Sequence, residues 1–123
     1  MKLDRLCIYA GAIILILGAC LHASGYPHMS EEIRKQGITF PLSGVARVGW
    51  VGFSVELFFL GVIALLAAAH PFGKRIVLAV ALCTGVTAAL MFHFLHAFIG
   101  VYIIALVTLL FLLGFFLKPS PSA

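Results

Sequence analysis

Four long runs of apolar residues, separated by short polar segments, dominate the chain. They cover residues 6–23, 45–69, 76–94 and 98–117. A helix needs roughly 20 apolar residues to cross the hydrocarbon core of a bilayer, and each run is about that long. The runs are continuous and lack the alternation of a membrane β-strand, which favours helices. The pattern predicts one all-α domain over residues 1–123, an integral membrane four-helix bundle with four transmembrane spans.

Composition agrees with this pattern and excludes several classes of protein. Hydrophobic residues make up 63 % of the chain and charged residues 10 %, whereas soluble domains are about half apolar and about a quarter charged. A water-soluble globular domain and a disordered tail are therefore excluded. The net charge of +4 comes from scattered basic residues, which argues against a nucleic-acid partner.

The chain carries no recognisable catalytic motif. Its one aspartate is Asp4, and it has no phosphate-binding glycine loop. The three cysteines show no CxxC spacing, so they indicate neither a disulfide framework nor a structural zinc site. The sequence thus favours a protein that is not an enzyme.

The segment 24–44 is the one sizeable extramembrane loop that the pattern predicts. We expect a short amphipathic helix in it, with Ser30 as its N-cap and Gly37 as a left-handed stop. Ser43 is then placed to cap the second span. The other connections are tight, which predicts adjacent antiparallel helices.

The distribution of basic residues predicts the orientation of the bundle. One side carries Lys2, Arg5, Lys74, Arg75 and Lys118, and the other carries Arg34, Lys35 and Arg47 beside Glu31 and Glu32. Lys and Arg in short loops favour the cytoplasmic side. We therefore expect a multi-pass protein of the bacterial inner (plasma) membrane with both termini in the cytoplasm.

The first span also has features of an export signal. Its basic start and apolar run lead into a segment, 17–20, that resembles a bacterial lipoprotein cleavage box ending at Cys20. Three further spans follow, which argues against processing.

Four histidines fall near the predicted outer membrane surface, namely His22, His28, His93 and His96. Imidazole is a common ligand of haem iron, copper and zinc. His22 with His93 is the pair that fits a bis-histidine haem, and the four together are the candidate metal ligands. The alternative is that these side chains bond to water, headgroups or loop carbonyls. A Soret band or stoichiometric copper in the purified protein would distinguish the two.

Glu56 is the most unusual residue within a predicted span. A carboxylate in hydrocarbon costs at least about 2–3 kcal/mol, so we expect it to face the bundle, to be protonated or to have a partner. Thr87 on the third span is a candidate hydrogen-bond partner at similar depth. The functional hypotheses are that Glu56 belongs to a proton relay, binds an ion or forms a hydrogen bond with a quinone. The structural hypothesis is that Glu56 is a neutral carboxylic acid hydrogen-bonded to a hydroxyl or carbonyl group, or that it anchors the chain to another subunit.

The leading hypothesis for function is a structural or accessory subunit of a larger membrane complex, for example a bioenergetic one, or of a homo-oligomer. Its partners would be the lipid bilayer and other membrane subunits or further copies of the chain. One alternative is a redox protein that binds haem or copper through the histidines. Another is a small oligomeric transporter that uses Glu56.

Overall fold

A computed structural model describes residues 2–70, 72–96 and 98–117. Within these residues the chain forms helices and no strands. The helices are α1 (Leu3–Ser24), α2 (Tyr26–Lys35), α3 (Leu42–Ala69), α4 (Gly73–Leu95) and α5 (Ile99–Phe116). Four of the helical segments are long and apolar enough to cross a membrane, the first of them extending from α1 into α2. The predicted all-α four-helix bundle is confirmed.

The four long helices form a ring in which each packs against two neighbours. α1 contacts α3 and α5, and α4 contacts the same two helices from the opposite corner. The core between them is filled by aliphatic side chains and one aromatic ring, among them Leu15, Val77, Val107 and Phe111. We call the end with Leu3, Ala69, Gly73 and Phe116 the terminal end, and the end with α2, Leu95 and Ile99 the loop end.

Glycines bring α1 close to both of its neighbours. A Cβ added to Gly61 of α3 would lie 2.9 Å from the carbonyl oxygen of Ala12 and 2.7 Å from Cγ1 of Ile16. A Cβ on Gly114 of α5 would lie 2.9 Å from the carbonyl oxygen of Asp4. Small residues at such crossings allow dispersion contacts between backbones, which hold membrane helices together.

The amphipathic helix α2 is longer than the sequence predicts. It begins at Tyr26, so Ser30 lies inside it and is not its N-cap. The reason is that Gly25 adopts a helical conformation, φ −77° and ψ −7°, and lets the chain continue from α1 into α2. The predicted end is confirmed, since Gly37 has φ +68°, the left-handed conformation that glycine adopts without strain.

The start of α3 also differs from expectation. The helix begins at Leu42 after Pro41, and no side chain caps it. Ser43 therefore lies in the first turn rather than at the cap. Its backbone N–H donates to the carbonyl oxygen of Thr39 at 3.1 Å, which ties the turn to the preceding segment instead.

The turn between α4 and α5 holds a histidine in a conformation that suits glycine. His96 has φ 51° and ψ −132°, and a side chain in this region costs of order 1–3 kcal/mol. We expect His96→Gly to raise the free energy of unfolding by about 1 kcal/mol. His93→Gly, inside α4, should lower it by about the same amount. Denaturant titration in mixed micelles measures the free energy of unfolding of both variants. A lower value for His96→Gly than for the parent would contradict the inference that the His96 backbone is strained.

Candidate functional site

His22 is fixed by three residues of α3 at the loop end of the bundle. Its ring stacks on Trp50 with centroids 4.1 Å apart, and Phe53 meets it edge-on at 5.1 Å. The His22 Nδ1 lies 2.9 Å from the Ser54 hydroxyl, and the Trp50 indole N–H donates to the His22 carbonyl oxygen at 2.7 Å. These contacts join the last turn of α1 to α3.

The Ser54 hydroxyl links the His22 ring to the backbone of α3. Ser54 donates to the Trp50 carbonyl oxygen at 3.1 Å, and its oxygen is also within hydrogen-bond distance of the Nδ1 atom of His22. Sequence reasoning missed Trp50 and Ser54 as partners, although residues 50 and 54 are one helical turn apart and share a face of α3.

The other histidines of the predicted outer cluster do not join His22. His28, His93 and His96 are all exposed, and the His93 ring contacts Phe94 with centroids 4.7 Å apart. His22 and His93 lie on α1 and α4, which occupy opposite corners of the ring. The described residues contain no group of three or more His, Cys, Asp or Glu side chains that could hold a metal ion. The haem pair and the four-histidine metal site stay predictions from the sequence.

Glu56 lies at the middle of α3, midway between Leu42 and Ala69. At 1.5 Å per residue its Cα is about 20 Å from each end of the helix, near the centre of a spanned bilayer. Its side chain is exposed on the outer surface of the bundle rather than facing inward. Across the part of the chain that the structure describes, no hydrogen bond or ion pair involves its carboxyl group.

Thr87, the predicted partner of Glu56, is half-buried on α4 and forms no hydrogen bond with it. The threonines that do pair across helices are Thr84 of α4 and Thr108 of α5, whose hydroxyl oxygens are 2.9 Å apart. Thr84 also donates to the carbonyl oxygen of Ala81 at 3.1 Å. This pair is satisfied inside the bundle and leaves the Glu56 carboxyl without a partner from α4.

The residues around Glu56 form a continuous exposed surface along α3. We call it the Glu56 face, made of Gly49, Gly52, Glu56, Phe59 and Ile63, all exposed. A Cβ added to Gly49 or Gly52 would have no atom within 4 Å. The α3 backbone is therefore open to approach on the loop-end side of the carboxyl, and the surface on the other side, at Phe59 and Ile63, is apolar.

A cleft between α1 and α3 borders this face. It has a volume of about 230 Å³, and its lining includes Ala19, Ala23, Val55, Phe58 and Phe59. The lining is almost wholly apolar. It suits a hydrocarbon chain rather than a polar substrate.

A second polar group joins three helices at the terminal end. Asp4 of α1 is buried, and its Oδ2 lies 3.7 Å from Nζ of Lys74 at the start of α4. Lys74 also donates to the carbonyl oxygens of Leu117 and Phe115, at 2.6 and 3.4 Å, at the end of α5. The other Asp4 oxygen, Oδ1, is buried without a partner among the described residues. The sequence signal for this pair was an acid and a base in the first turns of two helices that start at the same end.

No protein-family model matches this chain, and comparisons with curated proteins and with solved structures found no match either.

Proposed function

We propose that this protein is a structural or accessory subunit that assembles laterally within the membrane, with the Glu56 face as its contact surface. The observation that carries the proposal is the exposed carboxyl of Glu56 at the middle of α3. An ionisable group in a membrane span usually faces protein or water, because exposure to hydrocarbon costs at least about 2–3 kcal/mol. A protein partner that covers this face would supply a hydrogen-bonding group and remove the carboxyl from lipid.

The neighbouring residues support the same role. Gly49 and Gly52 leave the α3 backbone open to close approach by another helix, and small residues are enriched at such contacts. Phe59 and Ile63 add exposed apolar surface on the other side of the carboxyl. The outward direction of Glu56 also supports lateral contact better than a transport route through the interior of a single chain.

The proposal includes an orientation for the subunit. Arg5 and Arg75 are exposed at the terminal end, and basic residues favour the cytoplasmic side. We place the terminal end in the cytoplasm of a bacterium and the His22 contacts near the outer surface.

Photocross-linking in native membranes tests the contact surface. Phe59 on the Glu56 face and Phe92 on α4 are equally exposed, at 59 % and 58 %, so each can be replaced in turn by benzoylphenylalanine. We expect protein adducts from position 59 and lipid adducts alone from position 92. Lipid adducts alone from both positions would contradict the proposed function.

A further inference from the structure

We propose that the occupant of the Glu56 face is a second copy of this chain, related by a two-fold axis along the membrane normal that passes beside Glu56. This inference rests on the proposed function and names its partner. It follows from the depth of the carboxyl, from the hydrogen-bonding chemistry of a carboxyl group and from the shape of the surface around it.

The depth of Glu56 in the membrane favours a second copy as its partner. All copies of one chain insert with the same orientation, so two α3 helices that meet through the same face run parallel. A partner must present a polar group at the middle of the hydrocarbon core to satisfy Glu56. A second copy does so by symmetry, because a two-fold contact places each residue opposite its own equivalent at the same depth.

Two carboxyl groups can form hydrogen bonds with each other. A protonated carboxyl group has one O–H donor and a carbonyl acceptor, and a carboxylate is an acceptor alone. Two Glu56 side chains that share one or two protons can therefore satisfy each other without a basic residue. This matters because the described residues contain no Lys or Arg near the middle of any span that could pair with Glu56 in a neighbouring copy.

The surface around the carboxyl allows two α3 helices to approach closely. Glu56 follows Gly52 by four residues and Gly49 by seven, so the three share one helical face. With open space above both glycines, two α3 backbones can cross on the loop-end side of Glu56. The carboxyl groups then lie one turn from the crossing point, within reach of each other.

Cysteine cross-linking between two differently tagged copies in native membranes tests the pairing. The native cysteines are replaced by alanine, and Gly49→Cys or Gly52→Cys is introduced. A chain that keeps Cys83, which is exposed on α4, serves as the control. We expect a disulfide between the two tags from positions 49 and 52 and none from Cys83.

Two substitutions of Glu56 then separate hydrogen bonding from packing. Glu56→Gln keeps one donor group and one acceptor and should retain the cross-link. Glu56→Leu should raise the dissociation constant of the pair by roughly tenfold or more, as expected for two lost hydrogen bonds in a membrane. Thermal unfolding of both variants, measured in detergent at dilutions that keep the chain monomeric, should stay close to that of the parent, because the Glu56 side chain is exposed and forms no hydrogen bond or ion pair with the described residues.

The outcomes distinguish this inference from the proposed function. Cross-links between the two tags that Glu56→Leu weakens and Glu56→Gln keeps support the second copy. If positions 49 and 52 cross-link only to a different protein, the inference that the partner is a second copy is overturned and the proposed function still stands. No protein cross-link, together with lipid adducts alone from benzoylphenylalanine at position 59, would overturn both. Equal cross-linking in Glu56→Leu and the parent would overturn the inference that the two Glu56 carboxyl groups hydrogen-bond to each other.

Discussion

Replacing Gly61 by leucine is expected to lower the free energy of unfolding by about 3 kcal/mol. A Cβ at this position meets the Ala12 carbonyl oxygen at 2.9 Å, and a backbone atom cannot move aside without moving its helix. α1 and α3 must therefore separate, which also disturbs the His22 and Trp50 stack at the loop end. Denaturant titration in mixed micelles measures the loss, and the intrinsic fluorescence of Trp50 reports the disturbed stack.

Gly49→Leu is the matched control on the same helix. Its new side chain would enter open space, so the stability of the bundle, measured in micelles at dilutions that keep the chain monomeric, should stay within about 0.5 kcal/mol of the parent. Because Gly49 belongs to the Glu56 face, the variant should instead weaken association. Equal loss of stability in Gly49→Leu and Gly61→Leu would mean that Gly61 does not lie at a close contact between α1 and α3.

Replacing Lys74 by methionine is expected to destabilise the bundle by about 3 kcal/mol. The carboxyl of Asp4 is 7 % exposed, and the substitution removes the Lys74 ammonium group that lies 3.7 Å from it. The carbonyl oxygens of Leu117 and Phe115 at the end of α5 lose their donor as well. Thermal unfolding in detergent, followed by circular dichroism, measures the effect.

Arg75→Met is the control for this prediction, since Arg75 is exposed beside Lys74 and should change stability by less than about 0.5 kcal/mol. Adding Asp4→Asn to Lys74→Met should restore part of the lost stability, because the uncompensated buried charge is removed. If Lys74→Met and Arg75→Met unfold alike, the pair with Asp4 does not hold the terminal end together.

Sequence alone predicted the fold because span length and hydropathy are properties of single segments. The four apolar runs each became one helix, and Gly37 ended α2 as its conformational freedom suggests. The N-terminal boundary of α2 was missed because Ser30 had the chemistry of a cap, yet Gly25 took a helical conformation and the helix began earlier. The intrinsic helix propensity of single residues does not indicate which of these two positions begins α2.

The candidate site was only partly predictable, since hydropathy does not fix how each helix rotates about its axis. Glu56 was recognised as unusual, but its outward direction depends on the glycine contact that turns Gly61 toward α1. The pair of Asp4 with Lys74 depends on which helices become neighbours. The contacts of His22 with Trp50 and Ser54 depend on the crossing of α1 and α3. Each is set by packing between segments far apart in the chain.

A dipolar spectrum of a nitroxide label in native lipids tests whether a second copy covers Glu56. The label is attached to Phe59→Cys in a chain whose native cysteines are alanine, and a chain labelled at Cys83 is the control. The axes of packed helices lie about 8–10 Å apart, so two copies joined at the Glu56 face should give strong dipolar broadening at position 59. Excess unlabelled chain and Glu56→Leu should both reduce it, and Cys83 should show none. A spectrum at position 59 without broadening, identical to that at Cys83, would contradict the claim that a second copy covers Glu56.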